Sequence, residues 1–184
     1  MSAYHLNTKG WLAGAVHHPS PNFNERPADV IDLLVIHSIS LPPDEFGSQD
    51  VIDFFQNKLS EAKHPFYEQL KDVKVSAHFF ITRSGEIIQF VSTHDRAWHA
   101  GVSSFAGREN CNDYSVGVEM EGCDTILFTD AQYQSLRDLT KALMESYPDI
   151  ASERIVSHAE IALPHGRKTD PGPLFDWDRY KQGL

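Results

Sequence analysis

Leu33-Leu34-Val35-Ile36 is a continuous apolar run that ends in a histidine, His37. Such a run has no polar face. A strand built from it must be buried on both sides, with its last residue emerging at the edge of the sheet. Layers are therefore required above and below that strand. Ser115 to Glu121 alternates, with Val116, Val118 and Met120 on one face and Gly117, Glu119 and Glu121 on the other. Val75–Phe80 and Ile87–Val91, joined by Thr82-Arg83-Ser84-Gly85-Glu86, read as a β-hairpin. Ile155-Val156 is a last short strand. One helix is expected from about Gln49 to Leu59, where Val51, Ile52, Phe55 and Leu59 share a face. A second opens at the capping box Thr129-x-x-Gln132, continues through Tyr133, Leu136, Leu139, Leu143 and Tyr147, and stops at Pro148. This imperfect alternation predicts an α/β (α+β) fold with a mixed central β-sheet flanked by helices, as one domain over residues 1–184.

Two stretches show no period. Residues 1–31 include H-H-P-S-P-N-F-N-E-R-P and read as an irregular N-terminal wrap or a mobile arm. Ser92 to Asp113 holds Trp98, His99 and several glycines. A long loop of this aromatic content inside a compact domain points to function.

A net charge of −10 disfavours nucleic acid and anionic membrane as partners, and no apolar run reaches the roughly 18 residues that a spanning helix needs. Lys9 followed by G-W-L-A-G-A-V has the outline of a leader, but its apolar run is short. Two cysteines, Cys111 and Cys123, do not make a disulfide framework and fit a reducing compartment. The expectation is a cytoplasmic protein; composition does not set its oligomeric state, and a monomer is expected.

Of ten histidines, two end short apolar runs: His37 after L-L-V-I and His158 after I-V-S. Strand ends are where an α/β sheet presents its site residues, although a histidine there can equally cap backbone groups. His17, His18, His64, His94 and His165 lie in polar or Pro-rich surroundings and are expected at the surface. With Asp170, His37 and His158 make three ligands and leave a fourth position open, the catalytic zinc arrangement. Glu119 shares its strand face with Gly117, so something bulky can approach there. Its ordinary reading is a solvent-facing carboxylate; its functional reading is a general base for a water activated by zinc. Lys168, two residues before Asp170, can stabilise an oxyanion or simply be a solvated lysine.

A set of ordered motifs carries a resemblance from about Gly10 to Tyr180: G-W-L-A-G-A, L-V-I-H with S-L-P-P-x-E-F-G, V-S-A-H, R-A-W-H-A-G-V, N-D-Y-S-V-G-V-E-M-E-G and R-K-T-D-P-G-P-x-F-D-W. These resemble the zinc-dependent N-acetylmuramoyl-L-alanine amidases, specifically the cytosolic 1,6-anhydro (AmpD) type. The resemblance implies the fold shared with peptidoglycan recognition proteins, with zinc at one edge of a substrate groove. It implies hydrolysis of the amide between (1,6-anhydro-)N-acetylmuramic acid and L-alanine of muropeptides in peptidoglycan recycling, with a possible influence on β-lactamase induction. The alternatives are a non-catalytic peptidoglycan-recognition module on the same fold and a secreted lytic amidase acting on intact wall.

Residue by residue, the resemblance implies Zn2+ on His37, His158 and Asp170, a catalytic Glu119 and Lys168, and a muropeptide contact at Trp98. Ala77 stands where the wider fold often has tyrosine, which leaves the base role to Glu119, and His78 is expected to be structural. Lys74 and Asn110 stand where the family carries arginine at the stem peptide. Lysine does not reproduce a bidentate pair and asparagine carries no charge, so the peptide carboxylates must be held differently. The loop before Lys168 is slightly long, with His165 as an addition.

Overall fold

The computed structural model of the protein describes residues 4–184. In chain order the first elements are β1 (Val16–His17), β2 (Phe23–Glu25), β3 (Leu33–Ile39) and α1 (Asp50–Phe55). Then come β4 (Phe79–Ile81), β5 (Ile87–Gln89), β6 (Asp95–Ala97), β7 (Ser104–Phe105) and β8 (Arg108–Glu109). The chain closes with β9 (Ser115–Glu121), α2 (Asp130–Ser146), β10 (Ile155–Ser157), α3 (His158–Ile161) and α4 (Trp177–Lys181).

Among the described residues the main sheet has the strand order β1-β5-β4-β9-β3-β10. The β4/β5 hairpin is antiparallel and the other neighbours run parallel, which makes the sheet mixed, as expected. The apolar run that opened β3 is buried on both faces. Leu34 and Ile36 join Val116, Val118 and Met120 under α2, against Tyr133, Leu136, Leu139 and Leu143. Leu33 and Val35 face the opposite layer with Ala100, Val156 and Ile161. Each of the Leu, Ile, Val and Met side chains among these contributes roughly 1.5–3 kcal/mol relative to exposure. The capping box forms as expected: Thr129 Oγ1 accepts from the Gln132 N–H and Gln132 Oε1 from the Thr129 N–H, both at 3.1 Å.

Three expectations change. The first helix ends at Phe55, not Leu59. Asn57 takes φ 58° and the Lys58 N–H reaches back to the Asp53 carbonyl at 2.7 Å, a Schellman-type stop built on an asparagine. Residues 4–31 are neither irregular throughout nor a loose arm, because β1 pairs with β5 at the sheet edge and β2 pairs with β6. Ser92–Asp113 likewise contains β6 and the β7/β8 hairpin. The partners of β1, β2 and β6 lie far away in sequence, where no local pattern reveals them, whereas β7/β8 is a tight hairpin of very short strands.

Arg26 ties this wrap to the sheet. Its guanidinium donates to the carbonyls of Thr93, Asn112, Asp113 and Ser115 at 2.8–3.2 Å, and burial brings its pKa down to about 10. Beside it His78 is buried, its Nδ1 accepting from the Gly117 N–H and its Nε2 donating to the Asp95 carbonyl, each at 3.0 Å. That is the structural role expected of it. No helix among the described residues is long and apolar enough to cross a membrane.

Burial, reinforced by the Arg26 charge, lowers the His78 pKa from 6.5 to about 3. Below pH 6.5 the unfolded imidazole takes up a proton that the folded one refuses until about pH 3. The contribution to stability is therefore complete above 6.5 and lost as pH falls through that window, at up to about 1.4 kcal/mol per pH unit. Urea denaturation between about pH 7 and pH 4 should show a shallower decline for His78→Asn than for wild type. Parallel profiles would reject this account.

Candidate metal centre

Strands β10, β3 and β9 run parallel, so side chains near their carboxyl ends meet at one edge. His37 pairs in register with Glu119, and Ser157 with Ile36. His158 follows immediately as the first residue of α3. A second capping box turns the chain there: Ser157 Oγ accepts from the Glu160 N–H at 3.0 Å, and Glu160 Oε2 accepts from the Ser157 N–H at 2.7 Å. The turn leaves the His37 and His158 rings 4.4 Å apart between centroids. Asp170 arrives on the following loop, where its carbonyl accepts from the Ala159 N–H at 3.1 Å. The loop can close tightly because Gly172 has φ +90° and a Cβ there would lie 2.4 Å from Asp124 Oδ1.

The donor atoms of His37, His158 and Asp170 lie within 4.8 Å of one another. Asp170 Oδ2 is 2.9 Å from His158 Nδ1 and 3.3 Å from His37 Nδ1. On the far side of each ring, His158 Nε2 donates to the Ala100 carbonyl at 3.2 Å and His37 Nε2 lies 2.9 Å from His99 Nδ1. A histidine whose Nε2–H is committed to a carbonyl presents a lone pair at Nδ1. When both rings carry their hydrogen on Nε2, two nitrogen lone pairs and a carboxylate oxygen face one point, which fits a cation; without one, Asp170 sits at hydrogen-bond distance from His158 Nδ1. The donor set, two imidazoles and one carboxylate, suits a divalent transition metal, with a fourth position left open to the groove.

The electrostatics point the same way. Burial brings the His37 pKa down to about 4 despite its contact with Asp170. Burial alone would raise the Asp170 carboxyl, but the hydrogen bonds of His158 and His37 outweigh it and hold the group well below the usual range. Glu119 goes the other way. Burial, and then the Asp170 charge, push its carboxyl well above the ordinary value, with Lys168 opposing. It is 9% exposed, and its Oε2 has no hydrogen-bond partner among the described residues. The solvent-facing reading of Glu119 is overturned, because β9 is an interior strand with a layer on each face.

A cavity of about 260 Å³ holds the triad and Glu119, walled by Phe54, Leu70 and Val75 and reached by Trp98 and Lys168. It continues into an open cleft of about 610 Å³ along Ser40, Phe66 and Thr125. Lys74 is exposed and lines the groove beside Trp98. Asn110 is not among the residues lining these cavities. It is exposed and follows β8 with φ 57°, its N–H donating to the Ser103 carbonyl at 2.9 Å. His17, His94 and His165 are exposed as expected, while His18 and His64 are half-buried.

The sequence profile of the N-acetylmuramoyl-L-alanine amidases matches residues 26–173, a span that contains His37, Glu119, His158, Lys168 and Asp170. The chain belongs to that family. It is 51% identical over 177 residues, 96% of this chain and 95% of the other, to the 1,6-anhydro-N-acetylmuramyl-L-alanine amidase AmpD of Escherichia coli K12. A crystal structure of a selenomethionine AmpD derivative superposes with a TM-score of 0.93 at 48% identity, covering 97% of this chain and 98% of that one. The E. coli amidase AmiD, solved with anhydro-N-acetylmuramic acid-L-Ala-D-γ-Glu-L-Lys, matches at 27% identity and a TM-score of 0.61. That match covers all of this chain and 66% of AmiD.

Four residues of this family member escaped the sequence reading. His99 is buried with its ring against Gly117, where a Cβ would lie 2.5 Å from the ring. The glycine beside Glu119 therefore makes room for His99. Asn112, two residues past Asn110, accepts from the N–H groups of His99 and Ala100. Asn24, in the N-terminal wrap, accepts from the Trp98 indole N–H at 2.7 Å and fixes that ring. Arg167 lines the groove while donating to the carbonyls of Ala100, Val102 and Leu163. Only W-H-A-G beside the V-G-V strand hinted at the first of these.

Gly117→Ala tests the seat of the His99 ring. The added methyl has no space, so metal-free protein should lose about 1–3 kcal/mol in urea denaturation. An unchanged midpoint would mean that the ring moves aside freely.

Proposed function

We propose that this chain hydrolyses the amide between the lactyl group of 1,6-anhydro-N-acetylmuramic acid and L-alanine in soluble muropeptides, as a monomeric cytoplasmic enzyme of peptidoglycan recycling. The observation that carries the reading is the convergence of His37, His158 and Asp170 beside the buried, unpaired oxygen of Glu119 at the floor of the groove. The names of the relatives support the substrate: AmpD is described as a 1,6-anhydro-N-acetylmuramyl-L-alanine amidase, and AmiD was solved with an anhydromuramyl tripeptide.

His37, His158 and Asp170 would hold Zn2+, which supplies Lewis acidity at the scissile carbonyl and a nucleophile acidified to near neutrality. The remaining work falls to the chain's own groups. Glu119 takes the proton of the attacking water as the new C–O bond forms. It then returns that proton to the alanine nitrogen as the C–N bond breaks. A carboxyl whose pKa is pushed up by burial is well matched to both transfers near neutral pH. Lys168, reaching into the cavity from the loop that carries Asp170, stabilises the oxyanion of the tetrahedral intermediate. Trp98, with its indole pinned by Asn24, presents a fixed apolar wall to the muropeptide. Lys74, as a point charge, takes the stem-peptide carboxylate in place of a bidentate arginine.

Three measurements test this. Incubation with anhydromuropeptide should release free peptide, identified by mass, and a chelator should abolish the release. Metal-replete protein that leaves the substrate intact would sink the proposal. Glu119→Gln should keep its metal yet lose roughly 10²-fold or more in turnover, by the usual contribution of general acid–base catalysis; near-normal turnover would remove Glu119 from the mechanism. Lys74→Ala should raise KM for the tripeptide substrate far more than for the substrate bearing L-alanine alone, and equal effects would count against that contact.

A further inference from the structure

A histidine binds metal through one ring nitrogen only if the hydrogen sits on the other, and the partner of that other nitrogen decides where the hydrogen goes. Both ligand rings find that partner in the same two residues. His158 Nε2 faces the carbonyl of Ala100 at 3.2 Å, and a carbonyl can only accept. His37 Nε2 faces the ring of the preceding residue, His99, at 2.9 Å from Nδ1.

The dipeptide is itself held from three sides. Asn112 Oδ1 accepts from the N–H of His99 at 3.1 Å and from that of Ala100 at 2.8 Å. The His99 ring lies flush on Gly117, with no room for even a methyl group between them. Its outer nitrogen, Nε2, lies 3.2 Å from the Ser115 hydroxyl, an oxygen that can accept. One constraint comes from Asn112 and two from β9, at Ser115 and Gly117, so the bracket is fixed by residues other than the ligands that it orients.

We propose that His99–Ala100, clamped by Asn112 and seated on Gly117, is an acceptor bracket that sets the tautomers of both histidine ligands, with His99 as a positioning residue for metal affinity. The assignment follows link by link. His37 keeps its lone pair at Nδ1, toward Asp170 and His158, and donates its Nε2–H to His99 Nδ1. His99 then carries its own hydrogen on Nε2, toward Ser115. This deepens the metal reading of the triad and rests on it.

The test compares wild type with His99→Phe, which keeps a ring on Gly117 but removes the acceptor, and with His99→Asn, whose Oδ1 falls near the place of Nδ1. Metal-free proteins are titrated with Zn2+ against a chromogenic chelator, and the visible spectrum of each Co2+ form is recorded. Loss of one such outer partner is expected to weaken Zn2+ binding about 10–100-fold in His99→Phe and to alter its Co2+ spectrum, with most of the affinity restored in His99→Asn. Wild-type affinity in His99→Phe overturns the bracket and leaves the triad reading standing. Equal loss in both variants assigns the effect to packing and also overturns it. A wild type that takes up no Zn2+ brings down the triad reading and the bracket together. Should His99→Phe fail to fold, long-range ¹H–¹⁵N spectra of Zn2+-loaded wild type decide: His99 protonated at Nε2 with a bare Nδ1 supports the bracket, and a proton on Nδ1 overturns it.

Discussion

The parallel pairing of β3 with β9, and of β10 with β3, is the constraint on which the rest depends. Because these strands share a direction, their carboxyl ends meet at one edge, and a crevice outside such ends is where open α/β sheets bind ligands. The register turns that generality into particular neighbours. His37 stands directly opposite Glu119, and β10 stops one residue short of His158. A slip of one residue in either pairing would turn His37 or Glu119 to the opposite face, under α2, where Leu34, Ile36, Val118 and Met120 now pack. The apolar run of β3, locked into both layers, is therefore also what aims the histidine.

Two carboxylates a short distance apart receive opposite treatment from this edge. Asp170 is drawn toward two imidazoles and is held ionised; Glu119 is buried beside that charge and is pushed toward its neutral form. One group is suited to holding a cation, the other to exchanging a proton. Environment alone separates the roles, since the side chains differ by a single methylene.

Much of this was legible in the chain. His37 and His158 announce themselves by ending apolar runs, and Thr129-x-x-Gln132 marks the start of α2. S-x-x-E at Ser157–Glu160 is the same signal as Thr129-x-x-Gln132, yet it went unread because the helix it opens is a single turn. What stayed hidden depends on contacts between distant segments. V-G-V-E-M-E alternates as a half-exposed strand does, and its burial follows only once His99 and the groove wall lie over it. The stop at Asn57 requires a left-handed asparagine, which sequence permits but does not announce. Asn110 stands where the resemblance implies an arginine, whereas Asn112, which clamps His99–Ala100, works through backbone N–H groups and leaves no mark in residue type.

The span that matches the family begins at residue 26, yet the asparagine that anchors Trp98 is residue 24, and β1, which covers the sheet edge beside β5, lies earlier still. At the other end the match stops at residue 173, before Phe175 and Tyr180, which fill the core beneath α2. A fragment trimmed to the shared span would retain His37, His158, Asp170 and Glu119. It would also carry an open strand edge, a gap beneath its longest helix and an unanchored tryptophan in the groove wall. The chemical unit and the mechanical unit of this protein thus have different boundaries, and the flanking segments belong to the second.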